Sequence, residues 1–301
     1  MRLTNPFTAL QREALSLARQ VFGVRRILAD VQQALGRIEG RQLRGLASAT
    51  LADREFKVFS QWGEDGIIHH LIREVPVARR IFVEFGVEDY AEANTRFLLV
   101  QDNWSGLIFD GSEENIRTVK KDAIYWRHNL KAVASFVTRE NINALLRDNG
   151  LSGEIGLLSI DVDGNDYWIW EAIDAVEPAL VVVEYNARFG GERAVTVPYD
   201  PAFVRSTAHH SMIYYGASLA ALVALGRRKG YDFVGANTAG NNAFFVRRDL
   251  RPAALPVRTA AEGFVRSQFR ETRDAAGRLT FLSAAEESAI LAPLPLVEVA
   301  P

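Results

Sequence analysis

Residues 155–170 read IGLLSIDVDGNDYWIW. The run starts as a short apolar strand, sets Asp161, Asp163 and Asp166 where that strand ends, and resumes with aromatics in DYWIWEAID, a helical segment. The same alternation extends outward on both sides. RIFVEFG, GLIFD and LKAVASF precede it as strands, and ALVVVEY, YDFVGAN and NAFFVRR follow it. NTRFLLVQD, SEENIRTVKKD and RENINALLRDN read as the intervening helices, and GASLAALVALGRRKG as a later one that Gly230 ends. Continuous apolar strands separated by helices predict an α/β fold: a mostly parallel sheet of seven strands covered by helices on both faces. That domain spans roughly residues 55–250.

Composition narrows the class. The chain has 301 residues, 48% hydrophobic and 24% charged, with a formal net charge of -2 and no cysteine. The charge balance predicts no nucleic-acid footprint. Without cysteine, disulfides and thiolate metal sites are excluded, and a cytoplasmic location is expected. The first twenty residues carry charge every few positions and lack a signal-peptide core. No apolar run approaches the roughly 20 residues of a membrane helix.

Two flanking regions differ from the sheet domain. In residues 5–40, apolar residues recur at alternating intervals of four and three: Leu10, Ala14, Leu17, Val21, Val24, Leu28, Val31, Leu35 and Ile38. That heptad pattern predicts a coiled coil and a homo-oligomer joined through it; the alternative is a helix lying on its own domain, its face widened by Phe22 and Ile27. Asn5 and Pro6 suit its start. Residues 251–301 read as a tail folded over the sheet domain. AEGFVRSQFRET is expected to be a short helix, and Ser283 with Glu286 forms a capping box for AAEESAIL.

Ligands of an open parallel sheet bind beyond the carboxyl ends of its strands. Glu84 and Gly86 close the first strand, Asp110 and Gly111 the second, Ser135 and Phe136 the third, Asp161 and Asp163 the fourth, Glu184 the fifth. Asp110 can accept hydrogen bonds from a ribose diol, with Ser112 left to cap the next helix. The loop EFGVEDYAEANT holds one glycine and four acids before the next helix. It is hostile to a pyrophosphate and suits a cationic ligand. S-adenosylmethionine, with its sulfonium and ammonium groups, is such a ligand, within reach of Glu84, Glu88 or Asp89.

In a strand, residues two apart share a face. Asp161, Asp163 and Glu184 therefore form an all-oxygen set suited to Mg²⁺. Asp166 is either a general base or a helix cap. In SQWGEDG, Glu64 and Asp65 suit a helix first turn, which leaves Gln61 and Trp62 unexplained. His209 and His210 lie in a long connection; His210 is a candidate base, and a solvated loop is the alternative. Asn186, Arg188, Arg193 and Tyr199 are expected to recognise a hydroxyl-rich acceptor.

In the order SQWGEDG, VEFGVED, IFDGSEEN, SFVTRENINALL, SIDVDGND, VVVEYN and NNAFFVRRDL, the chain resembles the FkbM-like branch of class I S-adenosylmethionine-dependent methyltransferases. The resemblance covers roughly residues 56–250. It implies a Rossmann-like sheet, S-adenosylmethionine as cofactor and O-methylation of a sugar, polysaccharide or natural product. It also implies a donor site of Gln61, Glu84, Gly86, Asp110, Gly111, Ser135, Phe136 and Asp161, with the strand-three loop facing the adenine. Asp163 and Asp166 stand where the family motif carries glutamates. The stretch also looks like the metal motif of magnesium-dependent sugar methyltransferases, whose histidine is replaced here by Asp166. The expectation is a methyltransferase acting on a glycan hydroxyl, with Asp163, Asp166 and His210 as catalytic candidates. The rivals are a nicotinamide-dependent oxidoreductase on the same architecture and a non-catalytic assembly factor.

Overall fold

The computed structural model describes residues 6–45 and 50–300. Its strands are β1 (Ile81–Phe85), β2 (Ser105–Asp110), β3 (Leu130–Ala134), β4 (Gly153–Ile160), β5 (Val176–Glu184), β6 (Val195–Thr196), β7 (Tyr231–Ala236), β8 (Asn242–Arg247) and β9 (Val297–Glu298). Its helices are α1 (Pro6–Gln42), α2 (Glu64–Glu74), α3 (Arg96–Asp102), α4 (Glu113–Lys121), α5 (Ala123–Arg127), α6 (Ile142–Asp148), α7 (Asp166–Ala172), α8 (Arg205–Ala208), α9 (Leu219–Arg228), α10 (Ala260–Gly263) and α11 (Ala284–Leu291). The chain divides into two compact units between residues 46 and 47. The first holds α1; the second holds the sheet together with the C-terminal segment. No described helix is long and apolar enough to cross a membrane.

Seven strands form one sheet in the order β3-β2-β1-β4-β5-β8-β7. The first five run parallel, and β8 pairs antiparallel with both β5 and β7. This is the expected Rossmann-like, mostly parallel sheet. Two apolar layers cover it, because neighbouring strand residues face opposite ways. Val83, Phe85, Val181 and Val183 join one core with α6, α7 and α9. Phe82, Leu180 and Val182 join the other with α2, α3 and α4. Helices lie on both faces, as the continuous apolar strands require.

Local signals set several helix ends. Ser112 caps α4 by accepting from Asn115 N, and Ser218 caps α9 by accepting from Ala221 N. Ser283 and Glu286 form the capping box of α11. The expected helix over AEGFVRSQFRET stops at Gly263 after a single turn. Beyond it the backbone bonds to the body of the domain instead: Val265 O accepts from Tyr185 Oη at 2.7 Å, and Gln268 N donates to Ala239 O at 2.9 Å.

Trp170 on α7 is fully buried, with its ring 4.8 Å from that of Phe245 and 6.0 Å from that of Tyr231. Trp170→Ala is expected to lower unfolding free energy by about 3–5 kcal/mol. Trp126→Ala, at a side chain 73% exposed, is expected to change it by under about 0.5 kcal/mol. Urea unfolding of the two variants checks the contrast.

Candidate functional site

The strand order reverses between β1 and β4, so the chain leaves the sheet in opposite directions there and opens a crevice at the carboxyl ends. Gly86 makes the crossing possible. Its φ is +70°, and a Cβ at this position would lie 1.7 Å from Asp161 O. A cavity of about 600 Å³ opens here. Gln61, Glu84, Gly86, Asp110 and Gly111 line it, as do Ser135, Phe136 and Asp161. All eight positions expected at a donor site therefore meet in one place.

The carboxylates of the cavity differ in what holds them. Glu84 is buried and accepts from Asn94 N (2.8 Å), Thr95 N (3.2 Å) and Thr95 Oγ1 (2.5 Å). Burial raises its pKa to about 7 against the pull of these bonds. Glu84 thus fixes the loop from β1 to α3, and its carboxylate is not free for a ligand's ammonium. That loop contains left-handed residues at Glu88 (φ 48°) and Tyr90 (φ 61°). Asp110 holds it as well, accepting from Glu88 N through Oδ2 at 2.8 Å. Its Oδ1 accepts from Ser112 N (2.8 Å) and Asn115 Nδ2 (3.0 Å). The sequence expectation left Asp110 free for both ribose hydroxyls. With about four acceptor positions on a carboxylate and three already used, it has room for one hydroxyl.

The aspartates after β4 sit differently from the strand-based expectation. β4 ends at Ile160, so its two-residue alternation does not reach Asp161 and Asp163. Asp163 takes a left-handed φ of 54°, and its largely exposed carboxylate turns to Arg205, 2.8 Å away. Asp166 occupies the vacated position. Carboxylate oxygens of Asp161, Asp166 and Glu184 lie within 4.8 Å of one another. The acidic set is therefore Asp161, Asp166 and Glu184 rather than Asp161, Asp163 and Glu184. Asp166 is buried in the first turn of α7 and reaches back to accept from Val162 N (2.8 Å) and Gly164 N (3.0 Å), which ties down the turn. Glu184 is 6% exposed, and its Oε2 has no hydrogen-bond partner. Burial, reinforced by neighbouring aspartates, raises the pKa of both Asp161 and Glu184 well above the ordinary carboxylate range.

The nearest cation was not among the sequence candidates. Arg205 on α8 pairs with Asp163 and Glu271, donates to Met212 O at 2.8 Å, and stacks over Tyr215 at 3.7 Å. Glu271 also pairs with the buried Arg188 at 2.9 Å. It belongs to the C-terminal segment, which adds Phe269, Arg270 and Glu271 to the cavity wall. Phe269 stacks on Trp62 with ring centroids 5.4 Å apart, which gives Trp62 the packing role its sequence context left open. A tail without periodicity offered no signal for these contacts.

Several other expectations fall away from the cavity. His210 is exposed and does not line it; its ring lies 4.2 Å from that of His209 in a polar surface connection. It has no place as the base. Asn186 is buried and donates to Ile213 O and Tyr215 O. Arg188 pairs with Glu271 and Glu287, Arg193 with Glu298, and Tyr199 Oη with Glu140. Asn186 and Arg188 are tied into the interior and Arg193 and Tyr199 sit in surface pairs; none of the four lines the cavity. Glu64 and Asp65 do more than favour a helix dipole. Glu64 accepts from Asn237 Nδ2 and Asn242 Nδ2, and Asp65 from the amides of Val58, Phe59 and Ser60.

No family model and no curated protein matches the chain. Among solved structures it is similar to the N-terminal domain of EvdMO1 with SAH bound, at 16% identity over 70% of this chain and 94% of that one, TM-score 0.41. The same domain in the presence of SAH and D-fucose gives 16%, 70%, 94% and 0.40. An S-adenosylmethionine-dependent methyltransferase from Clostridium acetobutylicum ATCC 824 is 8% identical over 61% of this chain and 89% of that one, TM-score 0.40. These structures are distant, and the functional reading rests on this chain's own residues.

The buried acids give a pH signature. Burial holds Glu84 at about 7 and Asp166 at about 6, whereas carboxylates of the unfolded chain titrate near 4. Between those values the folded protein binds more protons than the unfolded chain, so stability falls as pH rises from about 4 to about 7. The urea midpoint in EDTA is expected to be higher at pH 5 than at pH 8. A flat profile would show that the buried acids are already compensated.

Proposed function

We propose that the chain is an S-adenosylmethionine-dependent O-methyltransferase acting on a hydroxyl of a sugar or polysaccharide. The observation that carries this reading is the acidic cradle around the ends of β1, β2, β4 and β5. Glu84, Glu88, Glu92, Asp110, Asp161 and Glu184 line the cavity, and the β1 turn supplies one glycine, Gly86, with no glycine nest. Such a wall repels a pyrophosphate and favours a ligand bearing sulfonium and ammonium charge. This weighs against the nicotinamide-dependent oxidoreductase. The volume lies within the range of small-molecule sites. Gly86 permits close backbone approach, Asp110 has one acceptor position for a ribose hydroxyl, and exposed Phe136 offers a face to an adenine. When bound, the donor supplies an electrophilic methyl group.

The chain's own residues handle the acceptor. Transfer to a hydroxyl oxygen releases its proton, and the unpartnered Glu184 carboxylate, made more basic by burial and neighbouring aspartates, takes it. Positioning of the hydroxyl contributes much of the acceleration. Asp166 and Arg205 keep the surrounding loops in place. A second reading has its own observation: three carboxylates within 4.8 Å, one with a buried oxygen lacking a partner, fit a hard divalent cation such as Mg²⁺. Asp161, Asp166 and Glu184 would hold it, and it would lower the cost of deprotonating the hydroxyl.

Donor binding is tested by calorimetric titration with S-adenosylmethionine. Asp110→Ala removes a hydrogen bond to a charged group, about 1.5–3 kcal/mol, and is expected to weaken binding at least about tenfold. Unchanged affinity in a folded variant would place the donor elsewhere.

Glu184→Gln is expected to lower methyl transfer by about 10²–10⁴-fold with donor affinity nearly unchanged. Methyl transfer to a panel of sugar acceptors, followed with and without EDTA, separates the two readings. Full activity in EDTA leaves Glu184 as the proton acceptor; loss of turnover with donor binding intact favours the cation.

A further inference from the structure

Among the described residues that line the cavity, the buried side-chain atoms without a hydrogen-bond partner are Asn165 Oδ1, Glu184 Oε2, Asn242 Oδ1 and Arg205 Nη2. The arginine nitrogen already faces Glu271. The other three are all acceptors. The two asparagines are fixed in this state. Asn242 Nδ2 donates to Glu64 Oε1 at 2.9 Å, and Asn165 Nδ2 donates to Asp200 O at 2.8 Å. A flipped amide would set its oxygen against a carboxylate or a carbonyl, and both of these only accept. Asn165 is 3% exposed, Asn242 4% and Glu184 6%. Buried acceptors without a donor are costly. The wall therefore calls for a ligand that brings several donors, as a polyol does.

Glu184 and Asn242 make that demand specific. They are direct partners in the antiparallel register of β5 and β8, so their side chains stand next to each other on one face. It is the face of Val182 and Phe244, in the core shared with α2. Asn242 N donates to Asn237 Oδ1 at 3.0 Å, and Asn237 Nδ2 donates to the same Glu64 oxygen at 2.7 Å. Asn242 is thus held in place before any ligand arrives. In the sheet, β5 and β8 lie on one side of the β1–β4 crossing, and β2 with Asp110 and β3, which leads to Phe136, lie on the other. A methyl donor held by Asp110 and Phe136 leaves β5 and β8 to the acceptor. The reacting hydroxyl has a single hydrogen, which passes to Glu184. Asn242 Oδ1 needs a second donor from the same molecule, and the adjacency of the two side chains puts it on the neighbouring carbon.

We propose that Asn242 is a positioning residue that accepts a hydrogen bond from a hydroxyl adjoining the one methylated, so that the acceptor is a vicinal diol. The inference rests on the methyl-transfer reading. The full chain is assayed with the methyl glycosides of glucose, galactose and mannose. For a glycoside that is methylated, NMR locates the new methyl group, and analogues lacking one neighbouring hydroxyl are compared. In the wild-type protein, loss of the hydroxyl that Asn242 reads is expected to lower kcat/KM at least about tenfold. Equal values for the glycoside and all its deoxy analogues overturn the inference and leave methyl transfer standing. No transfer to any of the three overturns both. Asn242→Leu is expected to cut kcat/KM for the diol at least about tenfold and to leave the deoxy analogue nearly unchanged, with affinity for S-adenosylmethionine as in the wild type. The ratio between the two acceptors then approaches one, whereas a merely structural role would lower both alike. A variant that keeps the wild-type preference would give the second hydroxyl to another group and overturn the role of Asn242.

Discussion

The close passage of Gly86 against the carbonyl of Asp161 is the constraint on which the site depends. β1 and β4 are neighbours in the sheet, and their following loops must part immediately after the last paired residues, Phe85 and Ile160. There is no space for a side chain at that point: the position of a Cβ falls 1.7 Å from Asp161 O. The missing side chain lets the β1 loop turn toward β2, where Asp110 captures Glu88 N, while the β4 loop turns toward β5 and Glu184. The donor cradle and the acid cluster are two consequences of one crossing.

Most of the buried acids are structural ties. Asp65 gathers three backbone amides, Glu84 two, Asp110 two and Asp166 two. A buried loop must give its amides partners, and a carboxylate satisfies several at once, with charge-assisted bonds stronger than neutral ones. This explains why acids crowd the carboxyl ends of the strands. Glu184 differs. It sits at the end of β5 opposite Asn242 on β8, and one of its buried oxygens has no partner. Its charge faces Asp161 and Asp166, with Arg205 already engaged by Asp163 and Glu271. An unpartnered buried carboxylate is costly to keep, so it marks the point in the cavity where a proton, a hydroxyl or a cation fits best.

The legibility of the sequence followed the range of the interactions. Strands and most helices were readable because apolar runs, caps and turn residues act over a few positions, as at Ser112, Ser218 and Ser283. The positions meeting at the cavity were readable because a parallel sheet delivers every strand end to one edge. Asp163 misled because strand alternation was extended past Ile160, where a left-handed turn takes over and exchanges it with Asp166. His210 and Asn186 misled because residue type was read without burial: one lies on the surface, and the other is locked under carbonyl oxygens. Arg205, Phe269 and Glu271 were not readable at all. Arg205 lies 42 residues from Asp163 and 66 from Glu271, and Phe269 lies 207 from Trp62; no local pattern encodes such contacts.

That last group changes how the tail relates to the chemistry. Glu271 bridges Arg188, which follows β5, and Arg205, which grips Asp163 in the turn after β4. The neighbouring Phe269 closes on Trp62, in the turn before α2. One short segment near the C-terminus thus touches three separate loops around the cavity. The bridging ion pairs are largely shielded from water, where an unpaired partner is strongly unfavourable. Displacing the segment would leave Arg188 with Glu287 and Arg205 with Asp163 as their remaining carboxylate partners. The sheet fixes where the strand ends stand, but the arrangement of the acceptor side depends on residues far outside the sheet.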